Sequence, residues 1–248
     1  MVAPLGPPTR PMAPRGRITT WEWRAPTTRH PWQWCRIYHP TPQVRTGTNH
    51  RTYGPLGRLD HHTVQPPAPG DPHAADPYRI ATPWICPDGR AVLYIGANLR
   101  TSFTEVYAGP TKNAEICPQT RIAIVRPAAP IPLLDIKSEG AAMLIDALPS
   151  LATGDYPRPR TQVWARAIYE DQPVPPTRRP IRGIYYQSAH AGGTALALMN
   201  TAGGVQLVHD TRGAQQDFTL HSIWRLVETT AATVNITAYK VPACSACS

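Results

Sequence analysis

The sequence predicts a mixed α/β (α+β) domain, a twisted β-sheet with flanking helices, on three observations. First, Gly89 to Ala108 reads as strand, tight turn and helix. The apolar run Ala91 to Ile95 is bounded by Asp88-Gly89 and Gly96, and Asn98 can cap a helix from Leu99 to about Ala108. Second, short apolar and β-branched runs recur on both sides of that unit. Third, Glu139 to Leu148 and Thr161 to Glu170 carry apolar residues at helical spacing.

Length and composition bound what such a domain can do. The 248 residues suffice for one large domain with a sizeable core, and 30 prolines, about double the usual share, assign much of the chain to loops. Apolar runs stay short of the roughly 18 residues a membrane span needs, and the opening Met-Val-Ala-Pro-Leu-Gly-Pro-Pro has no signal-peptide core, so a soluble, cytoplasmic protein is expected. The net charge of +9 rests on arginine, with only Lys112, Lys137 and Lys240 as lysines. Guanidinium groups grip phosphates and carboxylates in bidentate fashion, which points to an anionic ligand or an acidic partner. The arginines are scattered and no nucleic-acid motif is present, which argues against direct nucleic-acid binding. Cys35, Cys86, Cys117, Cys244 and Cys247 form no disulfide framework and fit a reducing compartment. Cys244-Ser-Ala-Cys247 has metal-ligand spacing but no second pair beside it in sequence.

In chain order, residues 1–30 are basic and proline-rich and read as a disordered or loosely docked arm, with Trp21 and Trp23 able to pin it. Trp32 to Tyr38 reads as a strand with Trp32, Trp34 and Arg36 on one face and Cys35 and Ile37 on the other. His39 to Pro87 reads as one long loop, functional or disordered, in which His61-His62 is expected to be exposed. On the helix after Gly96, a stripe of Leu99, Phe103, Val106 and Tyr107 should face a core. Glu105 lies off that stripe, so that it and Tyr94 can flank one crevice at the end of a strand. Arg121 to Val125 and Ile131 to Ile136 follow as strands. Ser138 can cap the helix Glu139 to Leu148, and the helix Thr161 to Glu170 packs through Val163, Trp164, Ala167 and Ile168. Ile181 to Gln187 and Thr194 to Met199 read as strands joined through Ser188-Ala-His-Ala-Gly-Gly193, where small residues admit a ligand to the backbone. Val205 to Val208 is a short strand, the β-branched run Ile223 to Tyr239 should finish in the sheet, and 241–248 is a tail.

Five blocks in this order resemble the RES domain family, named for Arg, Glu and Ser. They are Trp34-Cys-Arg-Ile-Tyr38, Gly57-Arg-Leu-Asp60, Val92-Leu-Tyr-Ile-Gly96 with Thr104-Glu-Val106, Trp164-Ala-Arg-Ala-Ile168, and Arg182 to Ser188 followed by Gly192-Gly-Thr-Ala-Leu196. The resemblance covers roughly residues 31–240. It implies a fold akin to ADP-ribosyltransferase toxins, cleavage of NAD+, and a place as the toxin of a bacterial pair held by an Xre-type antitoxin. It also implies Glu105, Arg36 and Ser188 as catalytic residues, with Arg36, Arg58, Tyr94, Tyr38, Ser188 and Trp164 binding NAD+ as substrate and no metal needed. Three departures stand out: Arg58 sits in Leu56-Gly-Arg-Leu-Asp-His rather than Gly-Gly-Arg-Trp/Phe-Asn, the loop before Tyr94 is long, and Ser188-Ala-His190 replaces Ser-Val-Arg. Two alternatives stay open, transfer of ADP-ribose to a protein and a non-enzymatic arginine-rich binding module.

Overall fold

Alternation of apolar side chains along short strands builds a sheet that is buried on both faces at its centre. The computed structural model describes residues 5–12, 18–27, 33–108, 112–153, 156–174, 179–190, 192–200, 204–208, 215–217 and 221–244. In chain order the elements are β1 (Thr20–Trp23), β2 (Trp34–Tyr38), β3 (Tyr53–Gly54), β4 (Trp84–Ile85), β5 (Leu93–Gly96), α1 (Leu99–Tyr107), β6 (Asn113–Ile116), β7 (Arg121–Pro127) and β8 (Ile131–Asp135). They continue with α2 (Ser150–Thr153), α3 (Arg158–Asp171), β9 (Gly183–Gln187), β10 (Thr194–Leu198), β11 (Val205–Leu207), β12 (Gln215–Asp217), α4 (His221–Thr233) and β13 (Thr237–Lys240).

The main sheet runs β1-β8-β9-β10-β5-β2-β7-β11, with β12 also on β7. Its pairs are antiparallel except β8 with β9, so the sheet is mixed, as expected. On β10, Ala195 and Ala197 join the core under α3, while Leu196 and Leu198 join Trp23 and Trp34 on the opposite face. On β2, Cys35 and Ile37 pack with α1 and α4, on the face opposite Trp34 and Tyr38, as alternation requires. Trp32 lies outside the described residues, as do Gly109 and Pro110.

Four expectations are corrected. The N-terminal segment is docked rather than loose: Leu5, Met12 and Ile18 are buried under α3, Arg10 pairs with Glu170 and Asp171, and β1 is the edge strand beside β8. Its few apolar residues are spaced to reach the core although its composition reads as disordered. Glu139 to Leu148 forms only a short 3-10 turn, Ala142–Ile145, because the Ser138 hydroxyl bonds Asp135 rather than capping a helix. The β-branched run near the end is the helix α4, in which Val227 and Ala231, at i and i+4, bury against Phe103 and Ile116. Packing overrides β-propensity there, and β13 then pairs with β6 in a separate two-stranded parallel sheet. In the long loop His61 and His62 are buried, with His61 stacked on Tyr169 at 4.4 Å.

Trp23 is fully buried against Trp34. Replacing it with Ala should therefore cost about 3 to 5 kcal/mol, read as a lowered urea midpoint with an unchanged slope. A change below 1 kcal/mol would mean that β1 is not part of the folded core.

Candidate active site

The site is organised by α1 and the strand before it. Asn98 caps α1 by accepting from the Thr101 amide at 2.8 Å, as its position in the sequence requires. The helix lies close on the sheet because Gly96 has no side chain, and a Cβ there would come within 2.7 Å of the Ser102 amide. Ser102 anchors the helix by donating to the Cys35 carbonyl at 2.7 Å. The buried face is Thr101 to Thr104, and Val106, expected in the core, is exposed on the cavity wall. That rotation keeps Glu105 half-buried at the mouth of a cavity of about 850 Å³.

The same cavity is lined by Arg36, Tyr38, Arg58, Tyr94, Glu105 and Tyr186. The expectation that Tyr94 and Glu105 flank one crevice thus describes the geometry. Tyr94 donates to Asp60 at 2.7 Å and accepts from the Leu59 amide at 3.0 Å, and burial holds its phenol neutral by pushing its pKa well up. Gly57 makes room for that phenol, since a Cβ there would sit 2.7 Å from the Tyr94 oxygen. The buried Asp60 carboxylate also accepts two bonds from Arg51 and the amides of Leu56 and Gly57. Burial alone would raise the Asp60 pKa, but Arg51 and these donors outweigh it and hold the group below the ordinary aspartate value.

Arg58 extends from this loop across the Tyr186 ring, its Cζ 4.9 Å from the ring centroid. One amino group, Nη2, donates to the carbonyls of Ala152 at 2.7 Å and Leu151 at 3.2 Å, while Nε and Nη1 are buried without a partner. The fully buried Tyr186 donates its hydroxyl to Glu105 Oε2 at 3.4 Å, a long bond. Burial first, and then the Glu105 charge, raises the Tyr186 pKa, so the phenol keeps its proton. Glu105 Oε1 is buried with no hydrogen-bond partner. A guanidinium with two free donors and a carboxylate with a free acceptor thus flank one phenol.

The remaining sequence candidates divide. Arg36 is buried and stacks on Tyr38 at 5.4 Å, and its Nη1 is held by the carbonyls of Gly47 and Asn49. Burial, with Arg51 nearby, lowers its pKa to about 9. Ser188 is buried in the β9–β10 turn, where its amide donates to Gly193 at 2.7 Å, and it is the following Ala189 and His190 that line the cavity. Trp164 belongs to the core under α3 and donates to the Gly6 carbonyl at 2.9 Å, so its indole is placed for packing rather than for a cavity ligand. Sequence reasoning missed Arg51, the organising role of Asp60, and Tyr186. Tyr186 stands two residues before Ser188, and period-2 alternation would have put it on the same face.

Removing the Asp60 charge should be costly because it leaves Arg51 and Tyr94 without their shared acceptor. Asp60→Asn is expected to lose on the order of 3 kcal/mol at neutral pH. A depressed folded-state pKa stabilises above the unfolded value and fades as pH falls through the folded one. The gap between parent and variant in urea unfolding should therefore shrink as pH drops below the ordinary aspartate range. A gap that is constant with pH would show that the Asp60 charge contributes nothing.

A family model described as RES domain matches residues 55–221. No curated protein matches the chain. Among solved structures, a chain of the crystal structure of the M. tuberculosis MbcT-MbcA toxin-antitoxin complex is similar, at 13% identity and a TM-score of 0.45, covering 84% of this chain and 91% of that one.

Proposed function

The chain belongs to the RES domain family, and from that premise we propose that it cleaves the nicotinamide–ribose bond of NAD+, as a glycohydrolase or phosphorylase, and serves as the toxin of a toxin-antitoxin pair. The observation that carries the chemistry is the run Arg58–Tyr186–Glu105 along one wall of the cavity, with free donors at one end and a free carboxylate oxygen at the other. NAD+ is anionic at its pyrophosphate and develops positive charge at its reacting ribose. A binding site for it therefore needs both signs, held apart.

In this reading Arg58 binds the pyrophosphate through Nε and Nη1, since its remaining amino group is already held by carbonyls of α2. Arg36 and Tyr38 line the same cavity. As the C1′–N bond breaks, its electron pair leaves with nicotinamide, which departs neutral, and the ribose gains oxocarbenium character. Glu105 stabilises that charge electrostatically and orients the acceptor, a water that loses a proton or a phosphate that attacks C1′. Tyr186 holds the Glu105 carboxylate in place, and Tyr94 offers a ring for stacking on nicotinamide or ribose. Ser188, beneath the β9–β10 turn, sets the position of Ala189 and His190 at the cavity. The toxin role and an Xre-type antitoxin partner follow from the family resemblance.

Glu105→Gln keeps size and removes charge. It should lower the rate of nicotinamide release by about a hundredfold or more, with NAD+ affinity and melting temperature nearly unchanged. A folded variant that turns over at the parent rate would remove Glu105 from the chemistry. Arg58→Ala should instead weaken NAD+ binding by about one to two decades through lost charge-assisted bonds. Arg58→Lys should restore only part of that loss, since an ammonium lacks the planar fork. Parent affinity in a folded Arg58→Ala variant would place the pyrophosphate elsewhere.

A further inference from the structure

We propose that the chain also holds a Zn2+ at the end of β2, bound by His39, Cys117 and Cys244. Three segments distant in sequence converge there. His39 follows β2, Cys117 opens the turn between β6 and β7, and Cys244 follows β13. One ligand atom from each lies within 4.8 Å of the others, and Cys244 Sγ stands 3.4 Å from His39 Nε2. A tetrahedral zinc ion with Zn–S of about 2.3 Å and Zn–N of about 2.0 Å sets its sulfurs about 3.8 Å apart and sulfur about 3.5 Å from nitrogen. The existing separations therefore close onto one ion with side-chain shifts of about 1 Å or less.

The chemistry of the set is selective. Two thiols and an imidazole are soft and borderline donors that take zinc in preference to magnesium or calcium. Both cysteines are buried, which keeps the two sulfurs out of solvent. The hydroxyl of Thr120 lies 3.0 Å from His39 Nε2 and 3.7 Å from Cys117 Sγ, placed to donate to a thiolate once the metal has taken the imidazole. Such a site would tie the end of the chain to the strand that carries Arg36 and Tyr38, bracing the cavity wall far from Glu105 in sequence.

The test uses the full-length protein purified in reductant without chelator. Elemental analysis should find about one zinc per chain. Replacement by Co2+ should give the intense visible bands and thiolate charge-transfer absorption of a tetrahedral site. Removal of zinc by a strong chelator should lower the melting temperature, and added Zn2+ should restore it. Cys117→Ser and Cys244→Ser should each lower zinc occupancy, while Cys86→Ser, a buried cysteine outside the cluster, should not. Metal-free folded parent protein, an octahedral Co2+ spectrum, or a Cys117–Cys244 disulfide under these conditions would overturn the site. None of these readouts depends on NAD+ cleavage.

Discussion

The buried carboxylate of Asp60 is the constraint on which the site depends. It collects a two-fold contact from Arg51, the hydroxyl of Tyr94 and the amides of Leu56 and Gly57, and it has no exposure to water. An anion so placed is tolerable only when every lone pair is used, so the loop around it has little freedom. Gln162 of α3 adds a bond to the Gly57 carbonyl at 2.8 Å, fastening the same loop to the core helix. Arg58, two residues before Asp60, is thereby aimed over Tyr186. A long proline-rich loop becomes a rigid wall because one acid satisfies its backbone.

The two arginines named by the family resemblance differ in their state. Arg36 has an amino group committed to carbonyls of the 44–51 loop, and burial makes its charge expensive. Arg58 keeps two buried N–H donors without partners. Unpartnered buried donors are rare in native proteins because each forfeits its hydration. The free oxygen of Glu105 marks the complementary end of the same cavity. The same cavity wall thus carries a guanidinium and a carboxylate, groups of opposite charge.

Much of this was legible in the sequence where a local signal matched a tertiary one. Asn98, Gly96 and the run before them define a strand, turn and helix, and the structure places Glu105 and Tyr94 on one cavity as that unit implies. Alternation assigned the faces of β2 correctly. The failures share a physical cause, namely tertiary partners that sequence cannot display. Leu5, Met12 and Ile18 are too sparse to signal a core, yet all three join the core that holds Trp164 and Ile168 of α3. Val227 and Ala231 sit in a run that favours strands by composition, but Phe103 and Ile116 offer a surface that only a helix covers. Asp60 looked like one residue of a loop motif, and Arg51, which pairs with it, belongs to no motif at all. The convergence of His39 and Cys117 with Cys244 was equally hidden, because a sequence shows the spacing of one pair and not the folding of three segments.

The central claim is that the cavity walled by Arg58, Tyr186 and Glu105 breaks the nicotinamide–ribose bond. Its most direct test is mass spectrometry of the products formed when the purified protein is incubated with NAD+, with and without inorganic phosphate. The account predicts stoichiometric release of free nicotinamide, accompanied by ADP-ribose in water or by its phosphorylated counterpart when phosphate is the acceptor. Intact NAD+ after prolonged incubation with folded protein, in both buffers, would contradict it.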